Sequence, residues 1–319
     1  MSLLARTLET SPYLEVFIRR MYWRSPWLVR YAKRTGLGRA RTSSAANRES
    51  LSKIEMFLEE HGVSSGRLMV VHSSAEALRN CGYLPNEIVE RLIRIVGADG
   101  TLAMPAFPRY REAPEGAEYM TADVSKLELV YDVKKTMPWT GVLPLKLMQM
   151  PGAVRSRHPV NSMVAIGPQA KAMMARNLQG DKPLPHGPQS SWKFCVDHGA
   201  IIVALGVDMA HSLTMIHVAE ESYEDEWPVR EWYRDRKFKV VDGEFSEKVV
   251  VRERDPRWAL YFAERTLSRE LKRAGLLIST SIDGILVEVI ESKGLLEFLN
   301  ERKARAYPYF AIPRRKMRR

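Results

Sequence analysis

Strand and helix alternate along most of this chain, which predicts an α/β protein with a mainly parallel central sheet flanked by helices and one antiparallel hairpin. Three observations carry that expectation. First, a capped helix near Ser50 sets Leu51, Ile54, Phe57 and Leu58 on one face, stops at Gly62, and leads into the apolar run Leu68 to Val71, which reads as a buried strand. Second, a helix opened by Pro85 carries Ile88, Leu92 and Ile95, ends at Gly97, and is followed by a strand from Thr101 to Met104. Third, the alternation returns downstream. Met163 to Ile166 precedes a helix begun by Pro168, and Ile201 to Leu205 follows one begun near Ser190. The exception is Lys237 to Arg252, where Asp242-Gly243 between two β-rich runs predicts the hairpin. Helical stretches at about 257–274 and 284–302 are expected to close the domain.

The chain has 319 residues, 45% of them hydrophobic, enough to bury a substantial core. Its formal charge is +11, but the charge sits at the ends. Residues 1–47 hold nine Lys/Arg against two Glu, and residues 302–319 hold eight against no acid, which leaves residues 48–301 at −4. The expected organisation is a basic amphipathic arm and linker (1–47), a catalytic domain (48–301) and a basic tail (302–319). Tyr22, Trp23, Trp27 and Tyr31 interleave with arginines as in an interfacial helix, so an anionic membrane surface or an acidic partner is expected to meet the ends. The plainer account is a solubilising tail and a partly disordered arm. The two cysteines, Cys81 and Cys195, lack metal or redox spacing, and neither an 18-residue apolar run nor a secretory leader is seen. The expectation is a cytoplasmic protein, peripheral at most to the inner membrane surface.

Reactive groups in such sheets gather beyond the carboxyl ends of strands. His217 and Glu220, three residues apart, share one helix face, where a carboxylate fixes the tautomer of a general base. A surface helix pair would give the same spacing. His72, Ser73 and Ser74 follow the first strand, and their turn reads as a cradle for an anionic or thioester-bearing ligand or, more plainly, as hydroxyls capping the next helix. The flanks lack a Gly-x-Ser-x-Gly elbow. The acidic run Glu220, Glu221, Glu224, Asp225, Glu226 is either a solvated helix face or a rim that draws a cationic acceptor.

Taken in order, these segments resemble the aminoglycoside 3-N-acetyltransferase family. The resemblance rests on Val71-His72-Ser73-Ser74, Val96 to Phe107, Thr140-Gly141-Val142-Leu143-Pro144, Arg155 to Ser162, Ile166-Gly167-Pro168, and Leu205-Gly206-Val207 leading to Thr214 to Glu220. It implies acetyl-coenzyme A as acyl donor, held by His72, Ser73, Ser74, Phe107 and Ser162. It also implies His217 and Glu220 at the reacting centre, with Thr214 near the thioester or developing oxyanion. His158, Glu221, Glu224 and Asp225 are expected on the acceptor side, and no metal is expected. Leu213, Asn161 and Ser191 stand where the family often has Asn, a second His and Pro. The reaction type is therefore expected to carry over more firmly than an antibiotic substrate, with an amine of an amino sugar as acceptor. Two rivals are a metal-dependent hydrolase using His158, His211 and His217, which lacks His-x-His or His-Glu-x-x-His spacing, and an inactive binding module acting through the basic ends.

Overall fold

The computed structural model describes residues 11–25, 47–114, 118–120, 122–307 and 309–318, apart from the side chains of Arg24 and Glu224. Helix α1 (Pro12–Arg24) is followed by α2 (Glu49–Glu60), β1 (Leu68–Ser73), α3 (Ala75–Leu78), α4 (Pro85–Val96), β2 (Thr101–Pro105), β3 (Glu128–Asp132) and α5 (Val142–Met148). Then come β4 (Val154–Arg155), β5 (Met163–Ile166), α6 (Ala170–Met174), α7 (Ser191–Asp197), β6 (Ile201–Leu205), α8 (Met209–Ser212) and α9 (His217–Glu221). The chain continues through β7 (Tyr233–Asp242), β8 (Phe245–Arg254), α10 (Glu264–Arg273), β9 (Ile278–Ile282), β10 (Ile285–Glu291) and α11 (Ser292–Asn300).

The central sheet has the order β4-β5-β2-β1-β6-β10-β9. Its centre is parallel, β1 pairing with both β2 and β6, as strand–helix alternation requires. The flanking strands β5 and β10 turn back antiparallel, so the outer pairings of the sheet are antiparallel while β4 and β9 again run with the centre. Side chains alternate across the sheet and build two cores. Met69, Val71, Leu102, Met104 and Val203 meet α2, α4 and α5 on one face. Leu68, Val70, Ala103, Ile202 and Ala204 meet α6, α7, α9, α10 and α11 on the other. A second sheet, β3-β7-β8, holds the predicted hairpin, closed by Gly243 at φ 64°.

One expected helix is corrected. Residues 284–302 begin as strand β10, paired with β9 across Asp283-Gly284, and become helical only from Ser292. Both turn residues have positive φ, 49° and 82°, the geometry of a two-residue hairpin turn. Ile285, Val287 and Val289 follow with the period of a strand and are buried.

The basic ends are also corrected where they are described: they pack as parts of the domain. The Glu15 carboxylate of α1 accepts from the backbone N–H groups of Arg265 and Thr266 at 2.9 and 3.1 Å, capping α10 from outside. Arg19 pairs with Glu264 at 2.6 Å, and Val16 enters the core. The interfacial stretch beyond Ser25 and the linker near 35–47 lie, up to residue 46, outside the described residues. At the other end, Tyr307, Tyr309 and Phe310 are buried, with Tyr307 tilted against Trp227 and Phe310 stacked on Phe262 and edge-to-face with Trp232. No helix among the described residues is long and apolar enough to cross a membrane.

Candidate active site

The candidate base sits where the chain leaves β6 through three successive short turns. Gly206, at φ 70°, lets this segment lie against α3, since a Cβ there would meet the Ala77 Cβ at 2.3 Å. Asp208 then caps α8 through the His211 N–H at 2.9 Å. The Met209 N–H is held by the buried Glu288 of β10 at 2.6 Å. A 3-10 turn, Thr214–Ile216, delivers His217 as the first residue of α9.

His217 Nδ1 lies 3.0 Å from Glu220 Oε2, and Glu220 is wholly buried. The next residue, Glu221, points elsewhere on the same helix and engages His186: its two oxygens accept from the His186 backbone N–H at 2.8 Å and from Nδ1 at 3.0 Å. The two imidazole rings are 5.1 Å apart. His186 Nε2 faces Asn161 Nδ2 at 3.3 Å, and the Asn161 carbonyl accepts from Trp192 Nε1 at 2.8 Å. Asn161 adopts φ 50°, a conformation asparagine tolerates better than most residues. Trp192 in turn neighbours His72 and Phe107, each at 6.2 Å between ring centroids, so one run of rings joins the end of β1 to His217.

Burial, aided by the nearby Arg254 guanidinium, holds the His217 imidazole below its ordinary pKa, outweighing the opposite pull of Glu220. It is therefore neutral at pH 7. With Nδ1–H directed at the carboxylate, the Nε2 lone pair is left to accept a proton. Burial alone lowers His72 to about 4. Burial works to raise the Glu221 carboxyl, but the His186 charge and hydrogen bonds, with His217, bring it below its usual range.

Three cavities surround these groups. A slot of about 250 Å³ is lined by His72, Ser73, Pro105, Phe107, Trp139 and Thr214. A smaller space of about 150 Å³ is shared by Thr214, His217 and Arg254. A third, of about 530 Å³, lies beyond Phe107 and Trp139 and is bounded by Asn161, Tyr119, Arg236 and Glu253. The first slot suits a pantetheine arm: its lining is largely apolar, and His72 Nε2 is buried beside it without a partner.

Of the residues singled out from the sequence, His217, Glu220, Thr214, His72, Ser73 and Phe107 come together here. Others do not. Ser74 caps α3 through the Ala77 N–H at 3.3 Å. Ser162 is buried and donates to the Ala106 carbonyl at 2.6 Å, part of a web with Arg155 that braces the loop after β2. His158 is buried, its Nδ1 accepting from the Val160 N–H at 3.2 Å and its Nε2 donating to the Pro183 carbonyl at 3.2 Å. Glu221 is buried against His186, so it offers no open carboxylate. Glu224's side chain lies outside the described residues. The Asp225 backbone carbonyl accepts from Arg318 and Glu226 pairs with Lys303, while Glu231, beyond the run, pairs with Lys316, so the end of the acidic run borders the C-terminal segment. His211 pairs with Asp208, which raises its pKa, and His158 is likewise committed elsewhere, so the three histidines of the hydrolase alternative do not converge. Among the described residues no group of three or more His, Cys, Asp or Glu is arranged to hold a metal. His186, Trp192 and Arg254 went unnoticed in the sequence; His186 has no carboxylate at helical spacing, and its partner is 35 residues away.

The family described as aminoglycoside 3-N-acetyltransferase matches residues 70–302. Aminoglycoside N(3)-acetyltransferase VIII of Streptomyces fradiae is 35% identical over 173 residues, covering 51% of this chain and 57% of that protein, so this match spans little over half the relative's length. Aminoglycoside N(3)-acetyltransferase IX of Micromonospora chalcea is 28% identical over 249 residues, 70% of this chain and 84% of that protein. Among solved structures, AAC-IIIb in binary complex with CoASH superposes with a TM-score of 0.65 at 21% identity, covering 81% of this chain and 96% of that one. Sisomicin-bound AAC-VIa gives a TM-score of 0.62 at 20% identity, covering 83% and 100%. The structural likeness establishes the shared fold, and the family match over most of the chain establishes descent: the chain belongs to the aminoglycoside 3-N-acetyltransferase family, a family of coenzyme A-dependent N-acetyltransferases.

Proposed function

We propose that this protein transfers an acetyl group from acetyl-coenzyme A to the amine of an amino sugar or related acceptor, with His217 as general base and Glu220 as its orienting carboxylate. The observation that carries the reading is the buried His217–Glu220 pair at 3.0 Å, on the border of a cavity shared with Thr214. An acceptor ammonium must lose a proton before its nitrogen can attack the thioester carbonyl. Neutral His217 takes that proton on Nε2, and Glu220 stabilises the imidazolium that results. Thr214, which borders both the slot and the cavity of His217, has a hydroxyl suited to the developing oxyanion. The thiolate leaves with the electron pair of the broken C–S bond and is protonated as free thiol. Cys195 is held by burial far above its ordinary pKa, and Cys81 is buried and raised to about 11, so neither is poised as a nucleophile. Direct transfer needs none.

Substitution of His217 by Ala or Asn should lower acetyl transfer by about a hundredfold or more while coenzyme A binding persists. Turnover within threefold of the parent would remove the assignment.

A further inference from the structure

The acidic run next to the proposed base invites a cationic acceptor, yet most of its described carboxylates are already engaged. Glu220 holds His217, Glu221 is locked to His186 and Glu226 pairs with Lys303, which leaves the exposed carboxylate of Asp225. The groups that border the large cavity carry the opposite sign.

Strand periodicity places Arg234, Arg236 and Phe238 on one face of β7, opposite Glu253 of β8. Arg236 is 2% exposed and lines the 530 Å³ cavity. Its Nη1 donates to Glu253 at 2.9 Å and to Tyr119 Oη at 3.1 Å, and its guanidinium lies 5.2 Å from the Phe238 ring centroid. Its Nε is buried and has no partner. A buried guanidinium donor left unmatched is costly, and in a cavity it is a place for an acceptor-rich ligand. Glu253 does not offset this. Its carboxylate is shared between Arg234 at 2.6 Å, Arg236 and Tyr119, so it serves to hold two guanidinium groups and has little left for an ammonium. Among the described residues that line the cavity, Arg109 and Arg236 stand against Glu253 alone. Arg254, bordering the His217 cavity, adds another guanidinium with a buried unpartnered Nη1. Asn161 joins the large cavity to His186, and hence to the neighbourhood of His217.

We propose that the acceptor is a phosphorylated amino sugar whose phosphate docks on Arg236 in the large cavity while its amine turns past Asn161 toward His217. The placement of the amine rests on the reading of His217 as base; the phosphate site does not. A polycationic acceptor would place further ammonium groups against Arg236 and Arg254, and such like-charge contacts disfavour binding.

The test uses the full chain saturated with coenzyme A, so that the site of the cofactor's own phosphates is filled. Inorganic phosphate is titrated calorimetrically into the parent, Arg236→Gln and Arg236→Lys. Phosphate should bind the parent, lose about tenfold or more in affinity in Arg236→Gln, the scale of a charge-assisted hydrogen bond, and recover part of it in Arg236→Lys. In parallel, thiol release from acetyl-coenzyme A is followed with glucosamine, glucosamine 6-phosphate, a uridine diphosphate-linked amino sugar and sisomicin. A phosphorylated acceptor should exceed glucosamine in kcat/KM by about tenfold or more, a preference that Arg236→Gln abolishes. The monophosphate and nucleotide arms distinguish the two sources of phosphate. Absence of phosphate binding in the parent, equal binding in all three proteins, or preference for sisomicin would overturn the proposal. Should Arg236→Gln not fold, the parent titration and Arg236→Lys decide. Phosphate binding that depends on Arg236 in a protein whose turnover ignores His217→Ala would uphold the anion site and discard the assignment of His217 as base instead.

Discussion

Replacing Glu220 by Gln keeps the shape of the side chain and removes its charge at a fully buried position. In the parent, Glu220 Oε2 accepts from His217 Nδ1 at 3.0 Å and faces the positive charge that forms when His217 takes up a proton. A hydrogen bond to a charged group contributes about 1.5–3 kcal/mol, so kcat/KM should fall roughly tenfold to a hundredfold. The pH profile supplies a second, independent reading. His217 must be neutral to act, so activity rises with pH through its pKa, which burial and then Arg254 depress below the ordinary value while Glu220 opposes them. The acid limb of the parent should therefore lie below about 6.5. Glu220→Gln removes an influence that raises this pKa and should move the limb further down, whereas Arg254→Gln removes one that lowers it and should move the limb up. Thiol release from acetyl-coenzyme A with an amino sugar, followed between about pH 5 and 9, reads both effects. A Glu220→Gln rate within threefold of the parent, or limbs moving the same way in the two variants, would refute the reasoning.

Acid stability should report His72: its folded pKa of about 4 lies below the unfolded value near 6.5, so the unfolded state takes up a proton first as pH falls. Urea unfolding should show a loss of about 3 kcal/mol from this group between pH 6.5 and 4, levelling below 4, and a shallower loss in His72→Leu. Glu15→Ala removes the external cap of α10 and should cost about 1–2 kcal/mol, read as a lower thermal midpoint; an unchanged midpoint would mean that α1 is a dispensable arm after all. Replacing Glu226 and Glu231 together by Gln breaks two surface pairs to the C-terminal segment and should cost about 1 kcal/mol or less without changing the acceptor KM; a several-fold rise in KM would restore the acidic rim as a substrate surface.

Local signals made the architecture readable. The strands β1, β2 and β6 announce themselves as apolar runs after helix stops, β5 as one before a helix, and Asp242-Gly243 marks the β7–β8 hairpin. The second hairpin was missed because Ile285 to Glu291 runs directly into α11 with no breaker between them, so strand and helix merge into one apolar stretch. His217 and Glu220 were readable for a related reason: partners three residues apart on one helix meet whatever the rest of the chain does.

By itself, then, the sequence determined the elements that local spacing dictates, the helix-borne pairing of His217 with Glu220, and the family to which the chain belongs. Pairings made across long stretches of chain were decided only by the tertiary structure. His186 meets Glu221 over 35 residues, Glu15 caps α10 over 250, and Arg236 meets Glu253 across a hairpin whose inward face depends on register. The sign of charge around a site belongs to this second class. A run of carboxylates reads as an acidic surface until folding brings its partners, here Lys303 for Glu226 and a hydrogen-bonding imidazole of a distant loop for Glu221, and a carboxylate already paired at close range has little field left for a ligand.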